Sequence, residues 1–390
     1  MKETIYDFNK SIPRENTECV KYDLRKEIFG KEDVIPMWVA DMDFEVPDFI
    51  TKALAERVSN PIYGYTYMSE AYYNAIINWL KTRHSWNIQK DWIRFTPGVV
   101  PGINFAIHAF TQEEDGIIIQ PPVYFPFANS VKENNRRIIE NQLILKNGRY
   151  SIDFNDLEKK AKEAKMILLS SPHNPVGRCW NREELQTMAE ICVRNNVIII
   201  SDEIHNDLII PGYEHTPTAI LSEEIAEMTV TFMAPSKTFN LAGLSTSSAI
   251  IKNKTLREKF VKFCNRIHIS YGNLFGNVAT IAAYEKGGPW VDQLMEYVKG
   301  NFDYLYSFVK TELPALDVVE MEATYLAWID FRKTGMTDQE IKKKLIFEAN
   351  LGLSPGNAFG PGGEGFQRMN LAVPRKTIKT ACDSLKKVFG

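Results

Sequence analysis

The chain is poor in the features that mark exported, membrane-bound or nucleic-acid-binding proteins. Its five cysteines, Cys19, Cys179, Cys192, Cys264 and Cys382, are odd in number and widely spaced, with no C-x-x-C pair and no histidine at metal-ligand spacing. Such a set supports neither a disulfide framework nor a metal centre, and reduced thiols are the plainer reading. No segment approaches the ~20 apolar residues that span a bilayer, and the stretch MKETIYDFNKSIPRENTECVKYD has no apolar run of the signal-peptide kind. A cytoplasmic protein without membrane contacts is the expectation. Charge of one sign is scarce too: 46 basic against 49 acidic residues leave a formal charge of -3, with no block that would recruit nucleic acid or anionic lipid. Small molecules are the expected partners. Internal repeats, low-complexity tracts and an H-E-x-x-H motif are also missing, so solenoid, disordered and zinc-hydrolase readings fall away.

What is present is a chain of 390 residues, 44% hydrophobic and 24% charged, enough for one large core and a smaller lobe. From about residue 90, short β-branched runs alternate with helical segments, the pattern of a mostly parallel sheet covered by helices on both faces. The predicted strands are GIIIQ (116–120), MILLS (166–170), VIIIS (197–201), TVTFM (229–233) and SSAII (247–251). Between the second and third, Asn181 followed by Glu184 is a capping box that opens a crossover helix. After about residue 290 the texture changes: a long amphipathic helix, VDQLMEYVKGNFDYLYSFVKTEL, precedes strand-like YLAWIDF, a helix over 338–349 and strand-like FQRMNLAV. The reading is α/β: a large domain over 46–288, a smaller α+β domain over 289–390, and an N-terminal segment, 1–45, that joins the small domain.

Three of the predicted strands end in polar residues: SPHNPVG (171–177), DEIH (202–205) and PSKTFN (235–240). In an open α/β sheet, ligands bind beyond the carboxyl ends of the strands, so these ends meet at one crevice. Alone, each residue has a plainer reading, Lys237 as surface, Asp202 as a helix cap, Asn174 before proline as a turn residue. Together they supply an amine for an aldehyde, a carboxylate for a pyridine nitrogen and a donor for a phenolic oxygen, which are the needs of pyridoxal phosphate. A carboxylate beside the ring nitrogen favours its protonated, electron-withdrawing form.

The chain also resembles the class I and II aminotransferase superfamily of pyridoxal-phosphate enzymes (fold type I), and within it the cystathionine β-lyase-like C–S lyases. The resemblance covers nearly the whole length and is carried by PMWVADMDFEVP (36–47), YGYT (63–66), TPGVVPGI (96–103), PPVYFPF (121–127), SSPHNPVGR (170–178), SDEIHNDL (201–208), APSKTFNLAGL (234–244) and FQRMNLAVPR (366–375). It implies that Lys237 attaches the cofactor and later moves the substrate's Cα proton, that Asp202 pairs with the pyridine nitrogen, and that Asn174 bonds the phenolic oxygen. Arg368 would grip the α-carboxylate with two parallel hydrogen bonds. Tyr124 would stack on the ring beside the substrate, and Tyr65 would cross to a neighbouring subunit's phosphate, which implies a homodimer. Many aminotransferases carry tyrosine three residues after the aspartate; this chain has His205 there, as the lyase branch does. The phosphate is expected at the turn Gly98, Val99, Val100, where backbone N–H groups open a helix, with the Ser236 hydroxyl added. The WVADMDF segment would line the entrance.

The expected reaction is β-elimination from a sulfur amino acid of the cystathionine or cysteine type, giving a thiol, pyruvate and ammonia. An aminotransferase shares the early proton transfer and is the nearest alternative. A regulatory or binding protein that keeps the cofactor fold is the alternative of another class. GPGGEG (360–365) fits G-x-G-x-x-G, yet it runs into FQRMNLAV rather than a helix and is set aside.

Overall fold

β-Branched runs bury best when both faces of a sheet are covered, and in the computed structural model, which describes residues 5–269 and 271–390, they pair into a seven-stranded sheet. Its strands are β1 (Ile93–Thr96), β2 (Gly116–Ile119), β3 (Arg137–Glu140), β4 (Ala164–Ser170), β5 (Ile198–Asp202), β6 (Thr229–Met233) and β7 (Ser247–Ile251). They lie in the order β1-β7-β6-β5-β4-β2-β3, and β7 alone runs antiparallel to its neighbours. The five predicted strands are all present. The two that the residue pattern did not single out, β1 and β3, are the sheet edges, where short strands carrying Arg94, Arg137 and Glu140 protect unpaired backbone from further pairing.

The helix beyond β1 spans Val99–Phe110, so it opens at Val99 and includes Pro101. Proline is harmless in a first turn, where its missing N–H has no intrahelical partner. Gly102 lets this helix approach the sheet closely: a Cβ there would meet the Phe232 ring at 2.4 Å. The predicted capping box forms, with Asn181 and Glu184 satisfying each other's backbone at the start of Arg182–Arg194.

A second, four-stranded antiparallel sheet follows, with β8 (Asp317–Val318), β9 (Leu326–Asp330), β10 (Ser354–Pro355) and β11 (Phe366–Asn370) in the order β8-β9-β11-β10. The helix Gly288–Glu312 buries Val291, Leu294, Val298, Leu305 and Val309 along one stripe, and Arg375–Phe389 buries Ile378, Cys382 and Leu385 in the same core. The N-terminal segment joins here: Ile35–Pro36 pairs in parallel with Leu351–Gly352, and Asn370 N–H donates to Met37 O at 2.9 Å.

The segment before β9 is clamped to the loops beyond β4 and β5. Glu322 N–H donates to Gly177 O (2.8 Å), and Ile210 N–H to Glu322 O (3.0 Å). The Glu322 carboxylate, itself buried, accepts from Arg178 Nε (2.8 Å), Cys179 N–H (2.9 Å) and Arg149 Nε (3.0 Å). Removing one partner of a buried ion pair strands the other, so Glu322→Ala is expected to lower unfolding free energy by about 3 kcal/mol. Urea unfolding of the two proteins measures this; a difference below about 1 kcal/mol would show that Arg178 repairs itself through Glu184 and the Tyr150 carbonyl.

Candidate active site

The carboxyl ends of β1, β4, β5 and β6 share one edge of the sheet, and because β7 runs the other way its first residues sit at the same edge. A cavity of about 210 Å³ opens there, lined by Gly98, Val99 and Val100 after β1, Ser170 and Asn174 after β4, Asp202 and His205 after β5, Ser236 and Lys237 after β6, and Ser245 and Thr246 before β7. Tyr124 and Ala40 complete the wall. Residues from segments more than two hundred positions apart are thus brought together by topology alone.

Lys237 lies in the short helical turn Pro235–Thr238 that follows β6. Its Nζ donates to Ala40 O at 2.6 Å. Burial pushes its ammonium down to about 8, and the nearby Arg368 charge adds to the effect, while Asp41 and Asp202 oppose it. An appreciable fraction is neutral at neutral pH, as a nucleophile and base must be.

Asp202 ends β5, and its Oδ1 accepts from Ile204 N–H at 3.1 Å. Burial raises this carboxyl to about 7. A buried carboxylate with so little compensation is a place for a cation, and a protonated pyridine nitrogen supplies one. The raised value has a stability consequence in the cofactor-free protein. Between 3.8, the ordinary value, and about 7 the folded state binds more protons at this site than the unfolded state, so its contribution to stability falls as pH rises through that window. Asp202→Asn removes the effect. The variant is expected to gain on the wild type from about pH 4 to pH 7, by at most about 4 kcal/mol, in denaturant titrations of the two cofactor-free proteins. A constant difference across that range would mean that Asp202 is ionised throughout.

Arg368, in β11, crosses into the site from the second sheet. Its Nη1 donates to Asn174 Oδ1 (2.9 Å), and Nη2 donates to Trp38 O (2.8 Å) and Ser354 Oγ (3.3 Å), while the buried Nε has no partner among the described residues. Burial lowers the guanidinium to about 10, so it stays charged at neutral pH. Asn174 therefore offers its oxygen to the arginine and keeps its Nδ2 hydrogens as the donor side. Tyr124 is tied in by its backbone, N–H to Asn174 O at 3.0 Å. His205 is buried, held down to about 3 by desolvation with Lys237 and Arg368 adding, and its Nδ1 lacks a partner among the described residues. It is neutral at neutral pH.

At the other end of the cavity, Val99 and Val100 start a helix whose first N–H groups have no intrahelical acceptors, a site for an anion. Ser236, Ser245 and Thr246 line that end. A helix N-terminus, a buried carboxylate with a single backbone donor and a lysine near 8 fit pyridoxal phosphate. Ser245 and Thr246 were not foreseen; the only signal was a polar run, STSS, leading into a strand. Tyr65 stands apart from the rest, fully exposed and outside the cavity.

A larger open groove of about 830 Å³ lies elsewhere, between Phe8, His84, Asp207, His215 and Tyr297. Its buried ionisable groups are already satisfied, His84 by Asp207 (2.8 Å) and His215 by Glu203 (3.0 Å), so the 210 Å³ cavity is the chemical centre.

Comparison with known proteins agrees with this geometry. The chain is 42% identical over 98% of its length, and 98% of the relative's, to the Bacillus subtilis (strain 168) protein named cystathionine beta-lyase PatB. The crystal structure of cystalysin from Treponema denticola, which contains pyridoxal 5'-phosphate, superposes with a TM-score of 0.96 at 40% identity, covering 99% of both chains. The pyridoxal-phosphate-bound C–S lyase from Staphylococcus hominis superposes with a TM-score of 0.92 at 34% identity, covering 99% of this chain and 98% of that one. The profile of the aminotransferase class I and II family matches residues 32–385, and the chain belongs to that family of pyridoxal-phosphate-dependent enzymes with fold type I.

Proposed function

We propose that the protein is a carbon–sulfur β-lyase that cleaves a sulfur amino acid of the cystathionine or cysteine type to a thiol, pyruvate and ammonia. The observation that carries the reading is the convergence of Lys237, Asp202 and Asn174 on one cavity, with Arg368 bonded to Asn174, in a chain 42% identical to a protein named cystathionine beta-lyase.

Bound in the cavity, pyridoxal phosphate supplies an electron-withdrawing ring that stabilises the charge left at the substrate's Cα. Asp202 holds the ring nitrogen, the Asn174 amide the phenolic oxygen, Tyr124 the ring face, and Gly98, Val99, Val100 and Ser236 the phosphate. Arg368 takes the substrate α-carboxylate in its planar fork and so fixes which bond at Cα is aligned for cleavage. Lys237 would hold the cofactor through its amine, and as a free amine it would take the Cα proton. His205, uncharged, adds no competing positive charge beside the lysine. The thiolate departs from Cβ, and water completes the conversion to pyruvate and ammonia.

Tyr65 completes the site from a second copy of the chain. Its full exposure, within a run in which Ile62, Tyr63 and Tyr67 are also exposed, supports a homodimer with shared sites. The proposal includes the division into 1–45, 46–288 and 289–390, and a cytoplasmic setting.

The deciding experiment offers L-cystathionine to the cofactor-saturated protein without any keto acid and follows pyruvate, ammonia and thiol together. Equal, catalytic amounts support the lyase. Absence of pyruvate, with amino-group transfer appearing once a keto acid is added, would replace the lyase by an aminotransferase.

A further inference from the structure

A strap of backbone over residues 38–42 crosses the cavity, and its carbonyls are engaged one after another. Trp38 O accepts from Arg368 Nη2 (2.8 Å), and Val39 O and Asp41 O both accept from Asn370 Nδ2 (2.7 and 2.6 Å). Met42 is held at both its N–H and its carbonyl by the Asn240 side chain (2.9 and 3.0 Å). Behind the strap, Arg14 binds Asp41 (2.6 Å) and Asp43 (2.7 Å), and the fully buried Lys21 binds Asp43 (2.9 Å). The carbonyl in the middle, Ala40 O, accepts from two side chains: Lys237 Nζ at 2.6 Å and Tyr325 Oη at 2.9 Å.

We propose that Tyr325 is a positioning residue for the reaction: by sharing the Ala40 carbonyl, it sets where and how tightly the free Lys237 amine rests while that amine acts as the base. The inference rests on Lys237 being the cofactor-bearing lysine. Tyr325 is fully buried, its ring lies edge-on to His205 at 6.2 Å, and among the described residues its hydroxyl donates to the Ala40 carbonyl. A carbonyl oxygen has two lone pairs. With one taken by the phenol, the oxygen is a weaker acceptor for the other donor, and the lysine ammonium releases its proton more readily. Arg368 from β11, Asp41 from the strap, and Asp202 and His205 from β5 and the loop after it are the charged or titratable groups that face the lysine. Asp41 and Arg368 also face Tyr325. All of these groups remain when tyrosine is replaced by phenylalanine.

The test compares wild type and Tyr325→Phe in three measurements. In the cofactor-free full chain, where Lys237 is a free amine, the pH at which pyridoxal-phosphate uptake reaches half its maximal rate is expected to rise by about one unit, one hydrogen bond's worth. In turnover, the acid limb of kcat moves up by the same amount, so kcat near neutrality falls about tenfold with KM within about twofold. In the resting loaded enzyme, whose lysine is not free, the absorbance titration is unchanged. An unmoved uptake limb, or a resting absorbance that shifts together with kcat and KM, overturns the proposal, the second because it indicates general disturbance. Should Tyr325→Phe fail to fold, 3-fluorotyrosine at position 325 keeps the packing and strengthens the donor; it is expected to move the uptake limb down, and an unchanged limb sinks the idea. Lys237→Ala separates the two layers. If that variant retains the absorbance of lysine-bound cofactor, the lysine assignment itself fails, whereas its loss beside an unmoved Tyr325 limb removes Tyr325 alone.

Discussion

Lys237→Ala is expected to lower kcat by about 10⁴-fold or more, the largest loss of any single substitution in the chain. Two roles disappear together. Proton transfer by a positioned group contributes about 10² to 10⁴ by itself, and covalent attachment of the cofactor is lost in addition. No neighbour can substitute: Arg368 stays charged, and His205, held down to about 3, is a very weak base. The fold should tolerate the change, because the lysine makes one hydrogen bond, to Ala40 O, and that carbonyl keeps Tyr325. Pyruvate release at saturating cofactor measures the loss. Partial recovery with an added primary amine would identify the missing function as the amine, and turnover within tenfold of wild type would exclude Lys237 as the base.

Arg368→Lys is expected to lower kcat/KM by about 10² to 10³-fold although the charge is kept. A guanidinium presents two parallel donors in a rigid fork, whereas an ammonium is a point charge on a flexible stem. The structure sharpens the distinction, since the same guanidinium bonds Asn174 Oδ1, Trp38 O and Ser354 Oγ and thereby joins the strap, the β4 loop and β10. Lysine cannot reach all of these, and buried acceptors left unpaired weigh against it by about 1–3 kcal/mol each. Most of the loss should appear in KM, because the carboxylate is held alike before and during reaction, with a smaller fall in kcat from misalignment at Cα. Steady-state kinetics with the amino acid and with its decarboxylated analogue provide the check. An equal effect on both substrates would show that Arg368 supports the scaffold rather than the carboxylate.

Asn174, Asp202 and Lys237 were legible in the chain because polar residues that follow apolar runs are conspicuous, whereas Arg368, inside β11, was pointed to by the family resemblance of FQRMN and joins the site through Asn174 Oδ1. The five central strands were legible for a related reason: burial on both faces demands unbroken β-branched runs. β1 and β3 are four residues long and carry charges, so in the sequence they look like many solvent-facing segments. Thr246 reads as an ordinary threonine until the fold brings it to the cavity wall.

By itself the sequence determined the α/β class and the cofactor, and it named the candidate side chains, since each of these depends on residue type and local order along the chain. Only the tertiary structure decided how the lysine is held. Ala40 acts through a backbone carbonyl, which every residue possesses, and Tyr325 sits in an apolar run that reads as core. The two are 285 positions apart, and the contact between them exists because β9 and β11 press the N-terminal strap against the end of β6. Local sequence encodes propensity and functional groups; a shared acceptor is a property of chain crossings, and these are set by packing of the whole.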